Sequence, residues 1–321
     1  MAGDVTVSVV SGPSGIDHLE ILGDALSNQI RITDLPGGDY EVEGLNGTTI
    51  NLQPVGTPYQ TPSPINGDIK ARMGDGDDSI RIDQAFSAPA ILGIQGGAGD
   101  DTVRLAPLTG QVAVGDTLYI SMGNGNDRVR LEDTDASSLR VRTGDGIDHV
   151  RIRDTRIGGG TISRIRTGDG NDRLRIDSGS EFFGPLSVNM GDGNDRYRLG
   201  TVTFHDVHRF SGRDGNDSVF VGTSANVDFR GVTRFYTGAG NDRIYVLPGA
   251  NVRFQSDARF VTGAGNDRID VRQLMKRNED RVHCISPLLF AALHDFAVMN
   301  SLPALGNSIS FQVDGTHNRR F

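Results

Sequence analysis

The sequence predicts an all-β fold, a right-handed parallel β-helix. Three observations predict it: a nine-residue segment that recurs nine times, a spacing of about one coil between copies, and apolar residues alternating on both sides of each copy. The copies are GDGDDSIRI (Gly74–Ile82), GAGDDTVRL (Gly97–Leu105), GNGNDRVRL (Gly123–Leu131), GDGIDHVRI (Gly144–Ile152) and GDGNDRLRI (Gly168–Ile176). GDGNDRYRL (Gly191–Leu199), RDGNDSVFV (Arg213–Val221), GAGNDRIYV (Gly238–Val246) and GAGNDRIDV (Gly263–Val271) complete the series. The shared pattern is G-x-G-[ND]-D-x-U-x-U, where U is apolar.

Successive copies of the aspartate lie 23, 26, 21, 24, 23, 22, 25 and 25 residues apart. Their mean, just under 24 residues, suits one coil of a solenoid. Two apolar columns follow the turn. One runs Ile80, Val103, Val129, Val150, Leu174, Tyr197, Val219, Ile244 and Ile269; the other runs Ile82, Leu105, Leu131, Ile152, Ile176, Leu199, Val221, Val246 and Val271. A third precedes it: Ala71, Ile94, Ile120, Val141, Ile165, Val188, Phe210, Phe235 and Phe260. Period-two alternation on either side of a glycine turn means strand–turn–strand with apolar residues inward. Because the order is the same in every unit, like columns stack parallel, about 4.8 Å apart.

The repeat sets the boundaries. Residues 1–24 read as an N-terminal cap and 25–272 as the β-helix, with degenerate coils over 25–72 and nine motif coils over 73–272. In the degenerate part the alternation persists (Ile30/Ile32, Ile50/Leu52) without the aspartate. Residues 273–321 lose the repeat, and RVHCISPLLFAALHDFAVMNSL has helical spacing, so a helical C-terminal cap is expected.

Composition narrows the function. The chain has 321 residues, 43 of them glycine, and a net charge of −9, which disfavours nucleic acid as a partner. A single cysteine, Cys284, excludes an internal disulfide framework, so a secreted protein of this kind needs another staple, bound metal being the obvious one. No run of 18 apolar residues predicts a membrane-spanning helix, and MAGDVTVSVV has no basic, then apolar, signal-peptide pattern.

The turn itself offers oxygen ligands. Calcium takes six to eight oxygens from carboxylates and backbone carbonyls, and glycine lets a turn bend until carbonyls converge. Carboxylates about 4.8 Å apart repel by roughly 3 kcal/mol per neighbouring pair at an effective dielectric of about 20, and a divalent ion between turns reverses that sign. The alternative is a metal-free turn whose aspartate caps backbone N–H groups.

These nonapeptides closely resemble the G-G-x-G-x-D-x-U-x repeat of the haemolysin-type (RTX) calcium-binding proteins, over roughly Met73–Val271. The resemblance implies calcium held between stacked turns by glycine-region carbonyls and the aspartate. The residues it points to are Gly74, Gly76, Asp78, Gly97, Gly99, Asp101, Gly123, Gly125, Asp127, Gly144, Gly146 and Asp148. They continue with Gly168, Gly170, Asp172, Gly191, Gly193, Asp195, Gly215, Asp217, Gly238, Gly240, Asp242, Gly263, Gly265 and Asp267. This chain departs from the family in three ways. It carries one motif per coil, which implies a single calcium column with at most eight ions between nine turns; Met73, Thr143 and Thr167 stand where a leading glycine is usual; and Arg213 and Ile147 break the pattern.

Beside the turns runs an arginine column, Arg81, Arg104, Arg130, Arg151, Arg175 and Arg198, either a solvated face or one that binds polyanions such as acidic polysaccharide. Catalytic signatures are absent; His205 and His208 form only a weak H-x-x-H zinc signal. Two function classes follow. One is a calcium-binding structural, adhesive or matrix module of an extracellular or cell-surface protein, with self-assembly a third possibility. The other is a carbohydrate-active β-helix, a polyuronate lyase or epimerase or an acidic-glycan binder using Arg104, Arg130, Arg151, Arg175 and Arg198.

Overall fold

Alternation of apolar and polar residues over short segments, each broken by a positive-φ turn, makes every unit of this chain a strand–turn–strand coil. In the computed structural model, residues 2–222, 226–247, 250–270, 282–285 and 311–312 are described. The protein is a β-solenoid of about eight turns, its stacked parallel coils about 24 residues each. The contacts divide it into residues 1–168 and 169–321.

Within residues 1–168, one sheet stacks the strands Ile69–Asp75, Leu92–Ala98, Val112–Asn124, Thr134–Asp145 and Ser163–Arg166. Ala71, Ile94, Ile120, Val141 and Ile165 stand in register across it. Beyond the turn, Ser79–Ile82, Thr102–Leu105, Arg128–Glu132 and His149–Arg153 stack likewise, aligning Ile80, Val103, Val129 and Val150. These columns are buried and form the core. A register shift between Val114 and Thr117 lets one long strand turn the corner to the third side of the coil.

The segment 25–72 is built differently from the two degenerate coils expected. Gln29–Leu35 pairs antiparallel with Asp39–Gly44, which pairs antiparallel with Tyr59–Gln60. Asp4–Ser11 likewise pairs antiparallel with Asp17–Leu22. Only Asp17–Leu22 and Gln29–Leu35 stack parallel onto the following coil, against Ile69–Asp75 and Ser79–Ile82. One coil therefore precedes the motif coils, and the hairpins pair with its strands.

Residues 169–321 repeat the plan with a different filling. Leu174, Tyr197, Val219, Ile244 and Ile269 align after the turn, and Val188, Phe210, Phe235 and Phe260 before it. The third side stacks Phe182, Phe204, Phe229 and Phe254, with ring centroids 5.6, 5.1 and 4.8 Å apart. Tyr197 replaces an aliphatic residue in the core and its hydroxyl meets His208 Nε2 at 3.0 Å. Burial lowers the His208 pKa to about 3, so this ring is neutral at ordinary pH. Val282–Ile285, expected to open a helical cap, is instead a strand that pairs parallel with Ala258–Val261 and places Cys284 beside Phe260. Its alternation and the exposed edge of the last described coil favour pairing over a helix. Apart from this strand and Phe311–Gln312, the expected cap over 273–321 lies outside the described residues.

Candidate cation column at the glycine–aspartate turns

Two positions in each turn admit only glycine. A Cβ on Gly97 would stand 1.6 Å from the Gly74 carbonyl oxygen, and one on Gly99 would stand 2.3 Å from that of Gly76. The same contacts recur at Gly123 and Gly125 against Gly97 and Gly99. The two glycine carbonyls of a turn thus point along the stack, into the backbone of the next turn. Both glycines also have positive φ, 143° and 132° at Gly97 and Gly99. Arg213 is the exception, held at φ 86° in a place made for glycine.

The aspartates form a buried ladder. Asp78 N–H donates to Asp101 Oδ1, Asp101 N–H to Asp127 Oδ1 and Asp127 N–H to Asp148 Oδ1, each at 2.8 Å. In residues 169–321, Asp172, Asp195, Asp217 and Asp242 donate in turn to the Oδ1 of the following aspartate at 2.8 to 2.9 Å. Each turn therefore donates forward to the next turn's carboxylate. The aspartate carbonyls accept in return, from Thr102 N–H to Asp78 and from Arg128 N–H to Asp101, at 2.8 Å.

The second carboxylate oxygen is another matter. Among the described residues, Oδ2 of Asp78, Asp101, Asp127, Asp195, Asp217 and Asp267 is buried without a hydrogen-bond partner. Burial, reinforced by neighbouring carboxylates, pushes the pKa of Asp78, Asp101, Asp127 and Asp217 up to about 7 and that of Asp195 up to about 8, against the pull of the donated N–H.

The residue five places before each aspartate shapes this environment. At Gly96 and Gly212 a Cβ would fall on Oδ2 of Asp101 and Asp217, at 2.1 and 1.9 Å, so glycine makes room for the carboxylate. Thr143 and Thr237 instead place a hydroxyl near Asp148 and Asp242, which opposes the upward push of burial, while the hydroxyls donate to the carbonyls of Thr167 at 3.0 Å and Thr262 at 3.2 Å. The Gly and Thr at the motif's leading position thus set the room and polarity around the aspartate, a role the sequence does not disclose.

Sequence reasoning also missed a further turn. Asn28 occupies the aspartate's place in the first coil, its N–H donating to Asp78 Oδ1 at 2.6 Å and its side chain bonding Asp24 and the Leu26 carbonyl. Here Asp24 and Leu26 stand in place of both motif glycines, and the signal is lost with them.

These residues fit a hard cation. They supply oxygens only, buried carboxylates with uncompensated negative charge and glycine carbonyls that point along the stack. Among the described residues no three His, Cys, Asp or Glu side chains converge on one point, so any ion here would draw on backbone carbonyls as well as carboxylates. Asp78, Asp101, Asp127 and Asp148 line the column in one unit, and Asp172, Asp195, Asp217, Asp242 and Asp267 in the other.

Next to the aspartates runs a second, exposed ladder, built of asparagines in residues 169–321. Asn194 N–H donates to Asn171 Oδ1 at 2.7 Å, Asn216 N–H to Asn194 at 2.8 Å, Asn241 N–H to Asn216 at 2.7 Å and Asn266 N–H to Asn241 at 2.8 Å. Asp77, Asp100 and Asn126 do the same in residues 1–168, ending on Ile147 N–H.

The arginine column after the turn is in register, and much of it meets its own acids. Arg104 pairs with Asp83 at 3.2 Å, Arg130 with Glu132 at 2.7 Å, and Arg175 with Asp177. Arg198 lies over the Phe220 ring, 5.2 Å from its centroid. His205 and His208 point to opposite faces, His208 into the core and His205 onto the Phe183 ring, so they do not form a zinc pair.

Comparison with family models, curated proteins and solved structures finds no match to this chain. Among the described residues, no helix is long and apolar enough to cross a membrane.

Proposed function

We propose that this protein is a calcium-stabilised structural or adhesive module of a secreted or surface-exposed protein, with the cation lying along the aspartate column. One observation carries the reading: a row of buried carboxylates whose Oδ2 atoms have no protein partner, with pKa values pushed up to about 7 and 8. At neutral pH such a row needs either protons or a cation. The resemblance of the turns to haemolysin-type repeats favours the cation.

The aspartates and the carbonyls of Gly97, Gly99 and their counterparts are the groups that would hold it, and the ion would supply charge neutralisation between turns. The chain's own residues do the rest. Gly96 and Gly212 make room for carboxylates, Thr143 and Thr237 place a polar hydroxyl near theirs, and the N–H ladder fixes Oδ1 and leaves Oδ2 free of it. Binding of this kind is folding free energy, and extracellular modules use sites of about 10⁻⁴ to 10⁻³ M.

The competing reading is a metal-free ladder neutralised by protons, with Oδ1 serving only to cap N–H groups. Melting of metal-stripped protein at pH 8, with millimolar calcium, magnesium or chelator, separates the two. A rise in melting temperature with calcium that magnesium does not reproduce is expected. Identical melts would establish the proton-neutralised ladder instead. The glycan reading built on Arg104, Arg130 and Arg175 is weakened by their pairing with Asp83, Glu132 and Asp177.

A further inference from the structure

The sheet that precedes the turns carries a different set of cations. Its outward residues form two rows in residues 1–168. Lys70, Gly93, Tyr119, Arg140 and Arg164 align in one, and Arg72, Gln95, Ser121, Arg142 and Arg166 in the other. Of the six cations only Lys70 has an acid within ion-pair distance among the described residues, Asp68 at 2.7 Å. Glu20, in register beside Lys70, closes the end of the first row.

Arg140 lies directly opposite Arg164, and Arg142 opposite Arg166, on adjacent strands about 4.8 Å apart. Like charges so placed destabilise a sheet, yet among the described residues no acid lies within ion-pair distance of them. On the other sheet the comparable arginines are relieved by Asp83 and Glu132.

The strip also has a notch. Gly93 leaves a gap in the row between Lys70 and Tyr119, and the cavity there measures about 410 Å³, lined in part by Arg72, Gln95, Tyr119 and Arg140. A Cβ on Gly93 would come no nearer to another group than 3.7 Å, from Lys70 Cγ, so the gap is open space and not a close approach of backbone. Its volume falls within the range of small-ligand sites.

We propose that this strip binds an acidic polysaccharide, with one carboxylate-bearing sugar ring seated in the Gly93 notch against Tyr119. The carboxylate of that ring meets Arg72 or Arg140, and the following rings present theirs to Arg142, Arg164 and Arg166. Guanidinium takes a carboxylate in a two-pronged bond that lysine cannot match, and five of the six cations are arginine. Single-stranded nucleic acid is the competing polyanion, but it is held by stacking successive bases on aromatic side chains, and these rows offer one ring, Tyr119. The inference needs only the strand register, and stands apart from the calcium reading.

The test is titration calorimetry of the full chain with sodium oligogalacturonate, in whichever buffer, calcium-loaded or metal-free, circular dichroism shows the coils folded. Binding is expected to weaken about tenfold or more in Arg140→Glu/Arg164→Glu. It should weaken also in Gly93→Val, which fills the notch without backbone strain, and should be unchanged in Arg81→Glu on the other sheet. Absence of binding by the unaltered chain would overturn the proposal. So would equal binding by the Arg140→Glu/Arg164→Glu and Gly93→Val variants, or tighter binding of oligothymidylate than of oligogalacturonate.

Discussion

Two ladders occupy adjacent residues of the same turn and differ in every respect that matters. In residues 169–321 the asparagine ladder is exposed and neutral and takes its hydrogen bonds from the following turn; the aspartate ladder is ionisable, largely buried, and takes them from the preceding one. Asn28 takes the buried position at the start of the stack, its N–H donating to Asp78 Oδ1 while its own Oδ1 accepts nothing among the described residues. The aspartates that follow need only Oδ1 to accept the N–H of the preceding turn, and Oδ2 plays no part in that bond. What aspartate adds over asparagine is charge, and a charge placed out of water without a partner is expensive. The contrast isolates the Oδ2 atoms of Asp78, Asp101, Asp127, Asp195 and Asp217, buried and without a hydrogen-bond partner among the described residues.

The largest effect that breaks this contrast is removal of the buried acceptor. Asp127→Ala orphans the Asp101 N–H and is expected to destabilise the protein by about 1–3 kcal/mol even without calcium, measured by denaturant titration. Calcium should widen that loss.

Acidity should act with an unusual sign. Folding raises these carboxyl pKa values from 3.8 to about 7 at Asp78, Asp101, Asp127 and Asp217, and to about 8 at Asp195. Between about pH 4 and pH 8 the folded chain holds more protons than the unfolded one, so stability falls as pH rises through that window. In chelator the melting temperature should increase from pH 8 to pH 5. With calcium bound the carboxylates stay ionised and the same acidification should lower it. A chelated protein most stable at pH 8 would contradict the burial described above.

Asp127→Asn sharpens the comparison, since it keeps the Oδ1 acceptor and removes the charge. In chelator at pH 8 it should match or exceed the unaltered chain in melting temperature, while the gain on adding calcium should shrink.

Two smaller effects test the backbone and the outer ladder. Arg213→Gly relieves a left-handed residue and is expected to stabilise by about 1 kcal/mol. Ile147→Asn, which gives the broken outer ladder an acceptor again, should add about 0.5–1 kcal/mol. Both are read as shifts in the denaturant midpoint.

Much of this was legible in the sequence. Each coil repeats the same period-two segments around a pair of glycines broken only at Arg213, so the columns through Ile80, Ile82 and Ala71 and the row of aspartates emerge from alignment by eye. The N-terminal hairpins did not, because Ile30/Ile32 alternate in the same way whether the next strand runs parallel or antiparallel, and the apparent pair Ile50/Leu52 is broken by Leu52, which turns outward at φ 57°. The paired arginines carried a readable clue, since Glu132 and Asp177 stand two residues after Arg130 and Arg175, on the same face. The basic strip gave none, because glycine, tyrosine, glutamine and serine interrupt both of its rows and no uniform column shows.

The close approach of glycine carbonyl to glycine backbone has a consequence for how such a molecule can change over time. Aspartates are separated by 21 to 26 residues, yet within each unit the turns stay in step. All variation in coil length is therefore absorbed at the far side, where loops have room. The turn edge behaves as a graduated rule, one division per coil, against which the outward side chains of both sheets are printed. Duplicating a coil lengthens the rule without altering its scale, and splicing residues into a far loop leaves every mark where it was.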